Sequence, residues 1–437
     1  MAISIAPAWR GHADAMRAVV PVFVVPSLVV AACVALAWLA AAPGAAAAGD
    51  GDGARWEWSG FAGFELRGFA SSGVFDGQDD DVTASVVLEP ELYRELDNGD
   101  ALIARPFLRL DSADDERSRL DLRELYWQRV GDGWELDIGL RKVFWGVTES
   151  VHLVDIVNQT DAVEDPDGED KLGQPMIRLG LTRPWGRLQL FVLPVFRERT
   201  FAGTDGRLRP RLPVDTDAAR YESSAEESHV DVAVRYSRVV GAVDLGVSYF
   251  RGTSREPLLV VEDGGGTPTL VPLYLQIDQV GLDVQATLDA WLLKLEAIGR
   301  WSTTEDSAVP GFGDHTALAA GFEYTLFDLA GRGADLGLLA EYLWDERGDR
   351  ATTPFADDLF VAARLALNDV QSSELLAGAI VDLDSGAVFV TVEGSRRLGD
   401  RFELELRLGT FSGAEPLDPL AAFEADDYLQ LTLKRYF

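Results

Sequence analysis

From about residue 55 onward, apolar and polar side chains alternate along the chain. In WELDIGLRKVF, Trp134, Leu136, Ile138 and Leu140 share one side, and Glu135, Asp137, Gly139 and Arg141 the other. GADLGLLAEYLW repeats this with Leu336, Leu338, Ala340, Tyr342 and Trp344. DRFELELRLGTF sets Phe402, Leu404, Leu406 and Leu408 against Glu403, Glu405 and Arg407. A period of two residues is the period of a strand with unlike faces. About eighteen such segments are present, an even number within the range of bacterial barrels. They run near 55–70, 82–96, 101–112, 119–130, 134–143, 174–184, 186–199, 228–240, 241–252, 276–289, 291–303, 314–327, 333–346, 356–367, 374–384, 386–397, 400–412 and 424–437. The fourth, RLDLRELYWQRV, breaks the alternation, which predicts a bulge.

The connections supply a second pattern. DNGD, GDG, PWG, VVGA, LDAW, DLAGRG, LNDVQS and RLGD are short and rich in turn residues. Between them fall long connections at 143–173, 200–227, 253–275 and 413–423. Short turns at one end and long loops at the other are the layout of a transmembrane antiparallel β-barrel. With no water in the bilayer core, strands cross only as a closed sheet. A soluble sandwich or propeller is disfavoured, because its strands are shorter. Aromatic residues also gather at segment ends. Trp134, Trp185, Trp291 and Phe327 mark one rim, and Tyr249, Phe250, Trp301, Tyr342, Trp344 and Phe411 the other. The fold expected is all-β, a single barrel over 49–437.

Composition narrows the function. The 437 residues carry a formal net charge of −33, with 47% hydrophobic residues. That acidity excludes a nucleic-acid footprint, which is basic. After residue 48 no apolar run is long enough for a membrane-spanning helix. The one cysteine, Cys33, rules out an internal disulfide. Arg10 and Arg17 precede an apolar stretch from Val19 to Ala42, interrupted by Pro21 and Pro26, and PGAAAAGD follows. This reads as a signal peptide, residues 1–48, cleaved after Ala48. VAAC at 30–33 weakly resembles a lipoprotein signal, but the apolar run continues past Cys33.

One segment does not alternate. In FWGVTESVHLVDIVNQTD, residues 144–161, Val151, Leu153, Val154, Ile156 and Val157 recur at near-helical spacing among acids. A long loop with its own apolar stripe needs a surface to bury against. An eighteen-stranded barrel has a lumen wide enough to receive it. The expectation is that 144–173 folds inward and Val151, Leu153, Ile156 and Val157 pack on the wall. Glu149, His152, Asp155, Asn158 and Asp161 would then form a pore constriction, with the acids of EDPDGED (164–170) at the channel or its mouth. The alternative is a short amphipathic helix lying over the rim.

Turning the polar faces inward gives two arcs. Arg105, Arg109, Arg141, Arg178, Arg187, Arg197 and Arg235 form a basic arc. Asp283, Glu296, Glu323, Asp335, Glu341, Glu393, Glu403 and Glu405 form an acidic one, with fewer basic residues among them. Opposed charges across a low-dielectric lumen create a transverse field. The plainer alternative is a set of mutually neutralising pairs.

The chain ends in YLQLTLKRYF, with Leu429, Leu431, Leu433 and terminal Phe437 on one face. This resembles the C-terminal signature of Gram-negative outer-membrane proteins, although Arg435 stands where an apolar residue is usual. The stretch GLRKVFWGVTESVHLVDIVNQTD resembles a motif of porin-like proteobacterial barrels of largely unknown function: a strand ending in Arg, then Trp-Gly, then an acidic loop ending in Asn-Pro-x-Asp. Here Gln159 replaces the proline. The layout is also similar to that of alginate-exporter-like barrels. The resemblance implies a cell outer membrane location among lipid and lipopolysaccharide. It also implies recognition of Phe437 by the barrel assembly machinery, passive passage of small solutes, a third loop that narrows the lumen, and homo-oligomers as one option.

Other chemistries fit less well. EDPDGED offers oxygens to a hard cation such as calcium but lacks the spacing and final glutamate of a twelve-residue calcium loop, so it and DGQDDD (76–81) read as solvated acids. A barrel-borne hydrolase needs a nucleophile and a base. His152, His229 and His315 are the histidines beyond residue 48, Ser150 and His152 stand only two apart, and no Gly-x-Ser-x-Gly elbow occurs. An exporter of an acidic polymer needs a continuous basic lumen, which the acidic arc interrupts. The expectation is a channel with no catalytic residue, no metal and no cofactor.

Overall fold

The computed structural model of the chain describes residues 56–263, 267–302, 314–415 and 418–437. The signal-peptide reading of 1–48 lies outside the described residues. The first seven strands are β1 (Trp56–Phe69), β2 (Val82–Glu95), β3 (Ala101–Asp111), β4 (Arg119–Gly131), β5 (Trp134–Arg141), β6 (Gln174–Arg183) and β7 (Gly186–Leu193). A short β8 (Arg220–Tyr221) precedes β9 (Asp231–Val240) and β10 (Val243–Thr253), and β11 (Leu258–Glu262) and β12 (Thr269–Tyr274) follow. The chain continues with β13 (Gln276–Leu288), β14 (Trp291–Ser302), β15 (His315–Leu326), β16 (Asp335–Asp345) and β17 (Asp357–Ala366). It ends with β18 (Glu374–Asp382), β19 (Val388–Leu398), β20 (Phe402–Ser412) and β21 (Tyr428–Tyr436).

Eighteen of these strands form one antiparallel sheet, each paired with the next in sequence. β1 and β21 close it, from Phe61 opposite Tyr436 to Phe69 opposite Tyr428. Near the seam, Trp58 stacks on the terminal Phe437 at 6.0 Å. The strands β8, β11 and β12 form a separate small sheet within the long connections. The alternation read from sequence therefore marks all eighteen barrel strands. The irregular fourth segment holds its bulge: Arg105 pairs with Glu124 and Pro106 with Leu122, which leaves Arg123 as the extra residue. Arg123 and Glu124 are both buried as a result, instead of alternating.

The outward face is apolar. Leu66, Ile138, Leu293, Leu338, Val361 and Leu431 are all exposed on it. A closed sheet with this belt is built to cross a bilayer, and it is the architecture of outer-membrane barrels. Trp185, Trp291, Phe327, Tyr249, Trp301, Tyr342 and Trp344 are exposed near the two rims, as a girdle requires. Phe250 and Phe411, expected in the same girdle, are instead buried. They fall on the opposite phase of β10 and β20 and pack in interior clusters.

Candidate functional site

The segment joining β5 to β6 passes through the barrel interior. Trp145, Val154, Ile156 and Val157 are buried in one cluster with Met176, Phe191, Leu193, Ala233, Phe250, Ile277, Ile298 and Ala317, which come from β6, β7, β9, β10, β13, β14 and β15. Val151 and Leu153 pack on a second cluster, of Ala319, Leu343, Phe360 and Ile380 from β15 to β18. These wall residues are inward-facing exceptions in a mostly polar lumen. The segment covers them, and burying each such aliphatic side chain contributes roughly 1.5–3 kcal/mol. Two glycines allow the close approach. A side chain on Gly281 of β13 would meet Val154, and one on Gly146, at φ +151°, would meet His152 and Glu296.

No helix forms in this segment despite the near-helical spacing. The wall takes its backbone donors instead. Glu296 of β14 accepts from the amides of Val147 (2.7 Å), Thr148 (3.0 Å) and Val154 (3.2 Å), and from the Thr148 hydroxyl (2.7 Å). Glu341 of β16 accepts from the amides of Glu149 and Ser150 (2.9 Å each) and from the Ser150 hydroxyl (2.6 Å). Two carboxylates of the expected acidic arc thus hold the loop rather than line a pore. Ser150 is bonded to Glu341, so it makes no dyad with His152.

The sequence motif holds the base of the loop. Asn158 donates to the carbonyls of Arg141 (3.0 Å) and Leu172 (2.8 Å) and accepts from the amide of Val143 (2.9 Å), joining entry to exit. Asp161 accepts from Arg119, from the bulged Arg123 and from the Thr200 hydroxyl. Burial resists its charge, but the two arginines hold its carboxyl below the usual range. Asp155 is enclosed beside Lys171 (3.6 Å) and the Trp145 amide (3.3 Å). Burial dominates there and pushes its carboxyl up to about 6. His152 lies between Glu169 (3.0 Å) and Glu296 (3.8 Å). Burial opposes its charge, yet the bonds to these two carboxylates raise it to about 10.

A polar cavity of about 560 Å³ remains beside the loop. Its walls are β1 to β4 and β17 to β21, together with Lys142 and four acids of the loop, Glu149, Glu164, Asp165 and Asp170. Of the five residues expected to constrict a pore, only Glu149 borders this space, where it faces Arg364 (2.6 Å) and Lys294 (3.4 Å). Asn158 and Asp161 have no exposure, Asp155 has 8%, and His152 is held between its acids. These four are turned away from the cavity, and Asn158 and Asp161 have their polar groups taken by neighbouring protein groups. The acids of EDPDGED stand nearer the space. Glu164 pairs with Arg109 (2.6 Å), and Asp165 with Arg407 of β20 (2.5 Å) and, more loosely, Arg67 of β1 (3.8 Å). The loop thus reaches from β14 and β16 on one side of the lumen to β1 and β20 on another.

The basic arc is not a bare positive surface. Arg105 pairs with Glu89 (3.0 Å) and Glu124 (3.2 Å), and Arg109 with Glu65 (3.2 Å). Arg141 and Arg178 share Asp137. Arg187 meets Glu135 (2.9 Å), Arg197 meets Asp121 (2.8 Å) and Arg235 meets Asp283 (2.7 Å). The neutralising alternative describes this wall. In the acidic arc, Glu405 pairs with Lys434 (2.6 Å) and Glu403 accepts from Tyr436 (2.6 Å). Asp335 takes the Asp328 amide and Asn368 near the short turns. Glu323 lies inward on β15 and does not border the cavity. Alternation alone did not mark Arg67, Arg117, Arg119, Arg123 and Arg407 as the partners of the loop. The broken alternation of β4 was the available signal for Arg119 and Arg123.

No protein-family model matches the chain, and no curated protein matches it. Solved structures do. A loop-deletion mutant of OmpT, an outer membrane protein of Vibrio cholerae, aligns at 9% identity with TM-score 0.45, covering 88% of this chain and all of the other. A mutant of the Rh. blastica porin aligns at 12% identity and TM-score 0.42 with the same coverage. A structure described as asymmetric conductivity of engineered proteins aligns at 13% identity and TM-score 0.42, again with the same coverage.

Proposed function

We propose that the protein is an outer-membrane channel for passive diffusion of small polar or charged solutes, narrowed by residues 144–173. The observation that carries this reading is the polar cavity left between the loop and the wall. Its border includes cations Arg67, Arg109, Arg117, Arg123, Lys142, Arg364, Arg407 and Lys434. It also includes anions Glu65, Glu89, Glu149, Glu164, Asp165, Asp170, Glu374, Glu393 and Glu405. The two signs nearly balance. A lining of that kind suits zwitterions and small ions of either sign, and it counts against an acidic polymer, which needs one continuous sign. The reading includes no catalytic step and no cofactor.

Single-channel recording of the full chain in a planar bilayer tests it. Stable open steps, with a reversal potential near zero under a salt gradient, are expected from a balanced lining. A folded barrel that never conducts would overturn the reading.

A further inference from the structure

The outward face carries a second charged feature, at the rim of the short turns. From β2 to β9, four arginines end lipid-facing rows there: Arg94 of β2, Arg129 of β4, Arg183 of β6 and Arg238 of β9. Two more end such rows elsewhere, but Arg396 of β19 is paired with Asp369 (3.5 Å) and Arg435 of β21 is buried. Each of the four continues an outward apolar row. Arg94 pairs in register with Trp56, which is 57% exposed, and Arg238 stands four residues beyond the exposed Val234. Each also has an aromatic neighbour or one close by. Arg94 lies over the ring of Trp56 at 4.7 Å, and Arg129 over Trp127 at 5.8 Å. Arg183 donates to the Gly133 carbonyl (2.5 Å), in the turn that Trp134 closes. Arg238 is two residues from Tyr236, which stacks on Trp185 at 6.0 Å.

Nearby carboxylates leave most of this charge free. Asp100 takes Arg129 (2.8 Å), and Asp97 and Asp132 sit in the turns beyond the rim. Among the described residues, neither Arg94, Arg183 nor Arg238 has an ion-pair partner. The same rim from β13 to β18 ends in apolar residues such as Leu288, Trp291 and Leu375. At the opposite rim, Tyr249 and Tyr342 are bonded to Asp278 (2.5 Å) and Asp357 (2.6 Å). Unpaired guanidinium groups beside interfacial tryptophans, at the end of an apolar belt, match the phosphate of a lipid headgroup in charge and depth.

We propose that the sector of this rim from β2 to β9 binds the phosphate groups of anionic phospholipids in the leaflet facing the short turns. The rows of β13 to β18, which end in apolar residues, make no such contact.

The test reconstitutes the full chain in nanodiscs of mixed phosphatidylglycerol and phosphatidylcholine and measures retained lipid by native mass spectrometry. Retention of phosphatidylglycerol over phosphatidylcholine by about fivefold is expected, the effect of about one arginine at a headgroup. Combining Arg94→Gln, Arg129→Gln, Arg183→Gln and Arg238→Gln should abolish that preference while heat-modifiable mobility shows a folded barrel. Arg251→Gln, at the opposite rim, should leave it intact. Equal retention of both lipids, or a preference that survives the fourfold change, overturns the proposal. So does a second copy of the chain bound at this sector in place of lipid.

Discussion

The two sides of the lumen differ although the same alternation builds both. From β6 to β18 the interior sets Met176, Phe191, Ile277, Ile298, Leu343 and Phe360 among polar groups such as Glu296, Glu341 and the Arg235–Asp283 pair. From β19 round to β5 it carries Glu65, Arg67, Arg109, Glu135, Asp137 and Arg407, tied in ion pairs. The loop mirrors this division. Val151, Leu153, Val154, Ile156 and Val157 face the apolar wall residues, while Asp161, Glu164 and Asp165 face the arginines. One segment is thus seated by two different forces. The apolar side supplies non-directional burial, with Glu296 and Glu341 taking the loop amides. The ionic side sets position through charge-assisted bonds.

The largest test of this division removes the loop. Deleting residues 150–168 should raise single-channel conductance severalfold while the eighteen-stranded barrel still folds. Unchanged conductance would mean the loop does not govern the open space. Next comes the apolar side. Glu296→Ala together with Glu341→Ala orphans the loop amides, each worth about 1–3 kcal/mol when buried unpaired. Frequent current fluctuations and faster proteolysis within 147–154 are expected. The ionic side should give a smaller, selective effect. Arg109→Gln and Arg407→Gln border the cavity, so they should shift ion preference toward cations. Arg141→Gln, bonded to Asp137 away from it, should shift the preference less.

The smallest effect is that of pH. The raised His152 value means that its bonds to Glu169 and Glu296 help hold the loop fully below about 6.5 and are lost as pH rises through about 10. Current noise should grow over that window, and His152→Gln should remove the dependence. Asp155 acts in the acid range. Its raised value favours the folded loop most below about 4, and that advantage falls as pH rises through about 6.

Sequence made the strands legible because a two-residue period survives without knowledge of partners. It also flagged β4, where RLDLRELYWQRV departs from that period and Arg123 bulges inward. The inner wall was harder to read. Met176 sits in PMIRLGL and Phe191 in LQLFVL, where apolar residues stand next to one another, and an apolar residue on the inner face marks a surface that something must cover. Asp155 and Asp161 looked like pore acids because spacing does not report burial. Their roles depend on Lys171, from the loop's own return, and on Arg119 and Arg123, brought in from β4 by the closed sheet. Glu296 and Glu341 were read as lining for the same reason. Nothing local indicates that a strand carboxylate will accept amides from a loop more than a hundred residues away.

The most direct measurement of the central claim is a crosslink between the loop and the wall. A side chain at Gly281 would place its Cβ 3.5 Å from that of Val154, within the range that disulfides span. Val154→Cys with Gly281→Cys, and Ser248→Ala to clear the hydroxyl beside it, should form a disulfide in the folded barrel without altering its conductance. A folded barrel in which the two thiols stay free under oxidising conditions would contradict a loop seated in the lumen.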